Sequence, residues 1–159
     1  MFKAITESVG AKRISLQDAE RIANVLVGEL QDACHRIEVC GSIRRKSPDV
    51  GDIDLVAIGE VQKVLEKFPR ATGRKRISFT FQGRKVNLWM TEPGSWGAAV
   101  LFATGSSGYG IGLRRAAQSK GLKLTDQGLF RDGRKIAGRT EEDIFKLLGK
   151  TARPPEERI

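Results

Sequence analysis

Residues 37–58 run Ile37-Glu38-Val39-Cys40-Gly41-Ser42-Ile43-Arg44-Arg45-Lys46-Ser47-Pro48-Asp49-Val50-Gly51-Asp52-Ile53-Asp54-Leu55-Val56-Ala57-Ile58. The β-rich run 37–40 stops at Gly41-Ser42, and a second apolar run surrounds Asp54, so the stretch predicts two neighbouring core strands joined through a basic turn. Successive side chains on a strand alternate faces, so Asp52 and Asp54 project to one side, roughly 6.5 to 7 Å apart along the backbone. Two carboxylates aimed at one spot repel unless cations neutralise them. Hard divalent ions with oxygen ligands suit them, Mg2+ first and Mn2+ as an alternative. The Gly41-Ser42 turn adds backbone N–H donors and a hydroxyl, and Arg45 adds a forked cation suited to phosphate oxygens. An isolated D-x-D would more often be a turn and strand edge, with Arg44, Arg45 and Lys46 solvated. The preceding G-S-x-R-R and Gly51 favour a site that gathers metal and triphosphate.

Outward from this stretch the chain reads as alternating helices and short strands. Ser15, with Asp18 three positions on, caps a helix whose apolar residues are Ile22, Leu26, Leu30 and Ala33, and His35 is expected at its end. Val61, Val64, Leu65 and Phe68 predict a shorter helix ended by Pro69. Residues 74–81 and 84–90 form the arms of a hairpin turning at Gln82-Gly83. Beyond Pro93-Gly94, Ser95 is the expected cap of a helix from Trp96 to Ala103, and a glycine-rich break with Gly105, Gly108, Gly110 and Gly112 follows. These glycines lack the G-K-[ST] ending of a P-loop. Residues 122–124, 129–130 and Ile136 read as short strands turning at Asp132-Gly133, and Thr140 caps a last helix with Ile144, Leu147 and Leu148 turned inward.

The segments Gly41-Ser42-Ile43-Arg44-Arg45 and Gly51-Asp52-Ile53-Asp54 resemble the palm signature of the family X DNA polymerases. Phe102-Ala103-Thr104-Gly105-Ser106 resembles the aromatic-x-T-G-S segment of that family, and Leu113-Arg114 the start of its template-side helix. Lys120-Gly121-Leu122 and the tail from Glu142 to Arg158 resemble its thumb and closing motif. Ordered similarity runs from about Lys12 to Arg158. The resemblance implies an α+β fold with a mixed or antiparallel palm sheet over residues 1–92 and a small α+β thumb over 93–159. Lyase and fingers domains are not expected.

The same resemblance assigns roles. Asp52 and Asp54 would hold Mg2+, and Val86-Asn87-Leu88 occupies the context of the family's third aspartate. An amide cannot act as a base there, although its oxygen can still ligate a cation. Asn87 leaves three readings open: an inactivating substitution, a weak or specialised enzyme, or a dead binding protein. Gly41, Ser42, Arg45 and Gly51 would take the triphosphate. Phe102, Ala103, Gly105, Ser106 and Gly110 would support the nucleoside, and Arg114, Arg115 and Lys120 the DNA. The resemblance also implies a cis peptide at Gly105-Ser106 and a closing role for Asp126. Ala103 and Gly110 depart from the family pattern toward smaller residues, which predicts weaker base discrimination.

The expected partners are gapped or primer-template DNA and a dNTP, with the chain acting as a monomer. A small-substrate nucleotidyltransferase would share G-S and D-x-D but not the T-G-S segment, and a binding module would rest on Asn87. The formal net charge of +9 is uneven, with 14 Lys+Arg against 11 Asp+Glu in residues 1–80 and 14 against 8 in 81–159. A basic surface favours polyphosphate partners through counterion release. No apolar run reaches membrane-span length, and residues 1–10 lack a signal-peptide pattern, so an intracellular protein is expected. Cys34 and Cys40 have no metal-type spacing and read as packing residues in a reduced compartment.

Overall fold

The computed structural model describes residues 12–159. The stretch 1–10, read above for its lack of a signal pattern, lies outside the described residues. Strand β1 (Ile14–Ser15) pairs antiparallel with β3 (Asp49–Val50), and between them come helix α1 (Leu16–Leu30), strand β2 (Cys34–Val39) and the one-turn helix α2 (Gly41–Arg44). Strand β4 (Ile53–Gly59), helix α3 (Val61–Lys67) and the hairpin β5 (Arg76–Phe81) and β6 (Arg84–Met90) complete a four-stranded sheet in the order β2-β4-β6-β5. Its β4–β6 pair is parallel and its other pairs are antiparallel, which makes the sheet mixed.

The Ser15 cap forms, its hydroxyl accepting from the Asp18 N–H at 3.1 Å. Helix α1 buries Ala19, Ala23, Leu26 and Leu30, while Ile22 is only partly covered. Together with α3 it covers the sheet face carrying Ile53, Leu55 and Ala57. His35 corrects the expectation: it lies exposed in β2, because α1 stops at Leu30 and the chain turns before Cys34. The hairpin turn at Gln82-Gly83 is as expected, both residues having positive φ (48° and 76°).

A 3-10 turn leads into helix α4 (Trp96–Thr104), followed by α5 (Ser107–Ser119), the antiparallel strands β7 (Lys123–Thr125), β8 (Gly128–Arg131) and β9 (Arg134–Ala137), and helix α6 (Glu141–Leu148). The sequence of α4, Trp-Gly-Ala-Ala-Val-Leu-Phe-Ala-Thr, has no polar face, as expected of a helix buried all round. Ala98 and Leu101 join the core of Leu113, Leu124, Leu129, Ile144 and Phe145. Ala99, Val100 and Ala103 pack with Trp96 on Val56 and Ile58 of the large sheet.

Three expectations change here. Ser95 does not cap α4 with its side chain: its hydroxyl donates to the Gln127 carbonyl at 2.8 Å and accepts from Lys135 Nζ at 2.7 Å. The N–H groups of Gly97 and Ala98 bond instead to the carbonyls of Arg139 and Gly138. A Cβ at Gly97 would collide with the Thr140 backbone, so this approach needs glycine. The glycine-rich break is confined to Gly105-Ser106, and Gly108, Gly110 and Gly112 all lie within α5, because Ser106 starts a new helix by accepting from the Tyr109 N–H at 3.3 Å. In α6, capped by Thr140 as expected, Phe145 is buried in place of Leu147, which is 42% exposed. Cys34 and Cys40 are buried free thiols, and burial pushes them up to about 11 and about 12 respectively.

The two halves are also tied by charge. Glu141, at the start of α6, takes both forks of Arg44 (2.7 and 3.1 Å) and Arg158 Nη1 at 2.6 Å. Burial works against the Arg44 charge, but the Glu141 hydrogen bonds and charge outweigh it and hold the guanidinium protonated. Removing one member strands buried charge, so Glu141→Ala is expected to cost about 3–5 kcal/mol in urea denaturation. Exposed Glu66→Ala should change stability by less than about 0.5 kcal/mol.

Candidate active site

The convergence of Asp52 and Asp54 arises from strand pairing. Asp54 is the second residue of β4, and its register partner on the parallel neighbour β6 is Asn87. Asp52 lies in the bend just before β4 rather than in the strand, yet it reaches the same face. The Asn87 amide donates to Asp52 Oδ2 at 3.3 Å and to Asp54 Oδ1 at 3.0 Å. Three side chains, one each from the bend before β4, from β4 and from β6, thus meet at one point.

The backbone on either side is held by residues that the sequence reading did not single out. Arg84, 7% exposed, donates through Nη2 to the Gly51 carbonyl at 2.8 Å and also to the Lys12 carbonyl, anchoring the bend that presents Asp52. Its signal was weak, since an arginine at the start of a hairpin arm ordinarily points to water. On the other side the expected Gly41-Ser42 turn is the first part of α2. Gly41 has φ +60°, and a Cβ there would strike the Asp54 carboxylate. Glycine therefore allows the helical turn to sit against Asp54.

Both arginines of α2 and its end grasp Thr104 at the end of α4. Arg44 Nη1 donates to the Thr104 hydroxyl at 2.8 Å, and Arg45 Nη1 to the Thr104 carbonyl at 2.5 Å. The peptide between Gly105 and Ser106 is cis, and Gly105 has φ +67°. A cleft of about 380 Å³ opens here. Asp54, Gly41 and Arg45 line one wall, and Phe102, Ala103, Gly105, Ser106, Gly110 and Arg114 line the other. Trp89, two residues beyond Asn87, also lines it, with the Arg76 guanidinium 3.7 Å above its ring. The Arg114 guanidinium lies 5.7 Å from the Phe102 ring centre.

Ser42, Gly51, Asp52 and Asn87 adjoin this cleft in sequence or by hydrogen bond without lining it. Arg115 and Lys120 are exposed elsewhere on α5 and at its end and are not brought to the cleft. Asp126 lines a neighbouring cleft that shares Phe102 and Arg114 with the first.

Burial raises Asp54 above the ordinary carboxylate value of 3.8; the Asn87 hydrogen bond opposes this, Asp52 adds to it, and Arg45 and Lys85 oppose it. The oxygens of Asp52 and Asp54 are hard donors that fit a divalent cation, and turning the Asn87 amide over would put its oxygen in place of its nitrogen. No cluster of three or more His, Cys, Asp or Glu side chains suited to a metal occurs among the described residues. The donor set here is two carboxylates and an amide.

Comparison with known proteins gives a consistent result. The family described as DNA polymerase beta thumb matches residues 99–159. The chain is 27% identical over 137 aligned residues to "Repair DNA polymerase X" of African swine fever virus, the alignment covering 75% of this chain and 79% of the viral protein. It is 35% identical over 75 residues to "DNA polymerase IV" of Saccharomyces cerevisiae, covering 47% of this chain and 13% of the yeast protein. Among solved structures, a ternary P/T complex of Leishmania infantum polymerase beta superposes with a TM-score of 0.84 at 22% identity, covering 96% of this chain and 78% of that one. That last likeness concerns the fold. No helix among the described residues is long and apolar enough to cross a membrane.

A raised Asp54 disfavours its ionised form in the folded chain, so this residue's contribution to stability is full below pH 3.8 and is lost as pH rises through the raised native value. Asp54→Asn is therefore expected to raise Tm at pH 7 in chelator-containing buffer, with the gain vanishing below pH 3.8. An unchanged Tm difference across that range would contradict the assigned electrostatics.

Proposed function

We propose that this chain, which belongs with the family X DNA polymerases, adds single nucleotides to the 3' end of a DNA primer across a short gap, acting as a monomer during repair. The observation that carries the reading is the meeting of Asp52, Asp54 and Asn87 at the mouth of the Arg45, Phe102–Ser106 and Arg114 cleft. A carboxylate and Arg45 on one wall of the cleft, with Arg114 on the other, suit a substrate that has both a polyphosphate and a reacting hydroxyl.

In this reading Asp52 and Asp54 hold the divalent ions, Mg2+ or Mn2+, and the Asn87 oxygen is available as a neutral ligand. Bound there, such ions would neutralise the triphosphate and lower the pKa of the attacking hydroxyl. Arg45 is fixed by the Thr104 carbonyl with its remaining N–H donors free for phosphate oxygens. The backbone of α2, opened by Gly41, supplies N–H donors, and Ser42 a hydroxyl. Phe102 to Ser106 form the shelf for the nucleoside, and Arg114, steadied on Phe102, faces the template. Attack of the primer hydroxyl on the alpha phosphorus forms the new P–O bond as the bond to pyrophosphate breaks, and the hydroxyl proton passes to solvent water.

Asn87 gives this mechanism its weak point, because an amide does not accept the hydroxyl proton at neutral pH. Single-nucleotide extension on a one-nucleotide gap, compared between the chain and Asn87→Asp, tests the reading. A general base contributes about 10²- to 10⁴-fold, and the aspartate variant is expected to gain within that range. Absence of extension by both proteins would favour a binding module or a different acceptor. Gly110 has open space above its Cα. Gly110→Asn should therefore be accommodated and should raise the ratio of correct to incorrect incorporation, and an unchanged ratio would remove this glycine from the specificity argument.

A further inference from the structure

A concavity of about 690 Å³ lies at the free edge of the large sheet, apart from the cleft just described. Its floor is apolar: Phe68, at the end of α3, stacks on Phe79 of β5 with ring centres 4.2 Å apart. Its rim carries Lys67, Arg70 and Lys85, and none of its lining residues is acidic. Lys67 is partly neutralised by Asp32 at 3.0 Å, whereas Arg70 and Lys85 make no ion pair among the described residues. The site cleft and the cleft beside Asp126 each contain a carboxylate.

The concavity wraps the sheet edge: Phe79, paired with Val86, belongs to the helix-covered face, whereas Ser78, Thr80 and Lys85 on the rim belong to the face of the carboxylates. Asp54 pairs with Asn87, and Asn87 with Ser78, so these three side chains form a row across β4, β6 and β5. Ser78 lines the concavity, as do Thr80 and its register partner Lys85. The outer edge of β5 pairs with Thr72 only at Ser78, whose N–H and C=O both bond to Thr72. By the alternation of an antiparallel strand, Thr80 turns its own N–H outward in the same way, beyond the reach of that bridge. A backbone donor, a hydroxyl and two cations without an ion pair among the described residues thus gather along the sheet edge, next to an apolar floor on its helix-covered side.

We propose that this concavity binds the sugar-phosphate backbone of the DNA duplex upstream of the primer end. The inference rests on the polymerase reading above. Phosphate oxygens would meet Arg70, Lys85 and the Thr80 edge, while the apolar face of a deoxyribose rests against Phe68. Its distance from the site sets the register. Neighbouring strands lie about 4.8 Å apart, so Ser78 stands about 10 Å from Asp54 and the concavity about 10–15 Å away. At about 3.4 Å of rise per nucleotide along a strand, the contact falls roughly three to four nucleotides behind the primer end.

Fluorescence anisotropy on gapped DNA with about ten upstream base pairs, and on the same DNA with about two, compares the chain with Arg70→Glu, Arg70→Lys and Thr80→Asp. Loss of one phosphate contact lowers the salt slope by about one. Arg70→Glu and Thr80→Asp are expected to weaken binding of the long duplex about three- to tenfold at low salt, with that change in slope, while Arg70→Lys stays close to the unmodified chain. On the short duplex all four proteins should bind alike. Unchanged affinity of both acidic variants for the long duplex, or equal weakening on both duplexes, would overturn the site. Failure of the unmodified chain to bind either DNA would sink the polymerase reading, and this inference with it.

Discussion

The architecture depends on the burial of one short helix from two sides. Helix α4 presents apolar residues around its whole circumference, so no arrangement with one face in water would satisfy it. The large sheet takes Ala99, Val100 and Ala103, and the smaller body takes Ala98 and Leu101. This sandwiching brings the carboxyl end of α4 to the mouth of the site. There Thr104 serves Arg44 through its hydroxyl and Arg45 through its carbonyl. The Arg44–Glu141–Arg158 cluster then joins the same point to α6 and the chain's carboxyl-terminal segment. A displacement of α4 would therefore disturb packing and buried charge together.

The site has a different economy of charge. Asp54 is mostly buried beside Asp52, an arrangement that favours protonation when nothing positive is near. Asn87 relieves part of that repulsion by donating one amide nitrogen to both carboxylates. An aspartate in the same place would add a third negative charge at this point. The fold is thus eased by the amide, whereas the proton transfer of the proposed reaction would be served by the acid. Under the proposed reaction, stability and chemistry make opposite demands on position 87, as stability and activity commonly do.

Much of the secondary structure was legible because its causes are local. Ser15 and Thr140 announce their helices by capping, Gln82-Gly83 and Asp132-Gly133 their hairpins by tolerance of positive φ, and the apolar run at residues 55–58 its buried strand. Failures came where a distant backbone competed with a local signal. Ser95 looks like a cap, but the carbonyls of Gly138 and Arg139 already serve the N–H groups it would have satisfied. The glycines after Gly105 look like a loop, but three of them are carried within α5. Leu147 fits the apolar pattern, yet the small body receives Phe145 instead.

By itself the sequence determined the alternation of strands and helices, the spacing that puts Asp52 and Asp54 on one face, and the family resemblance carried by residues 41–54 and 102–106. These are properties of neighbours along the chain, fixed by the two-residue period of a strand and by the chemistry of glycine, serine and arginine. Only the tertiary structure decided that Asn87 would touch both carboxylates, that Arg84 would hold the Gly51 carbonyl, and that Glu141 would neutralise arginines 97 and 17 residues away. Such contacts join residues far apart in the chain. Their partners are chosen by parallel pairing of β4 with β6 and by the burial of α4, which no local pattern encodes.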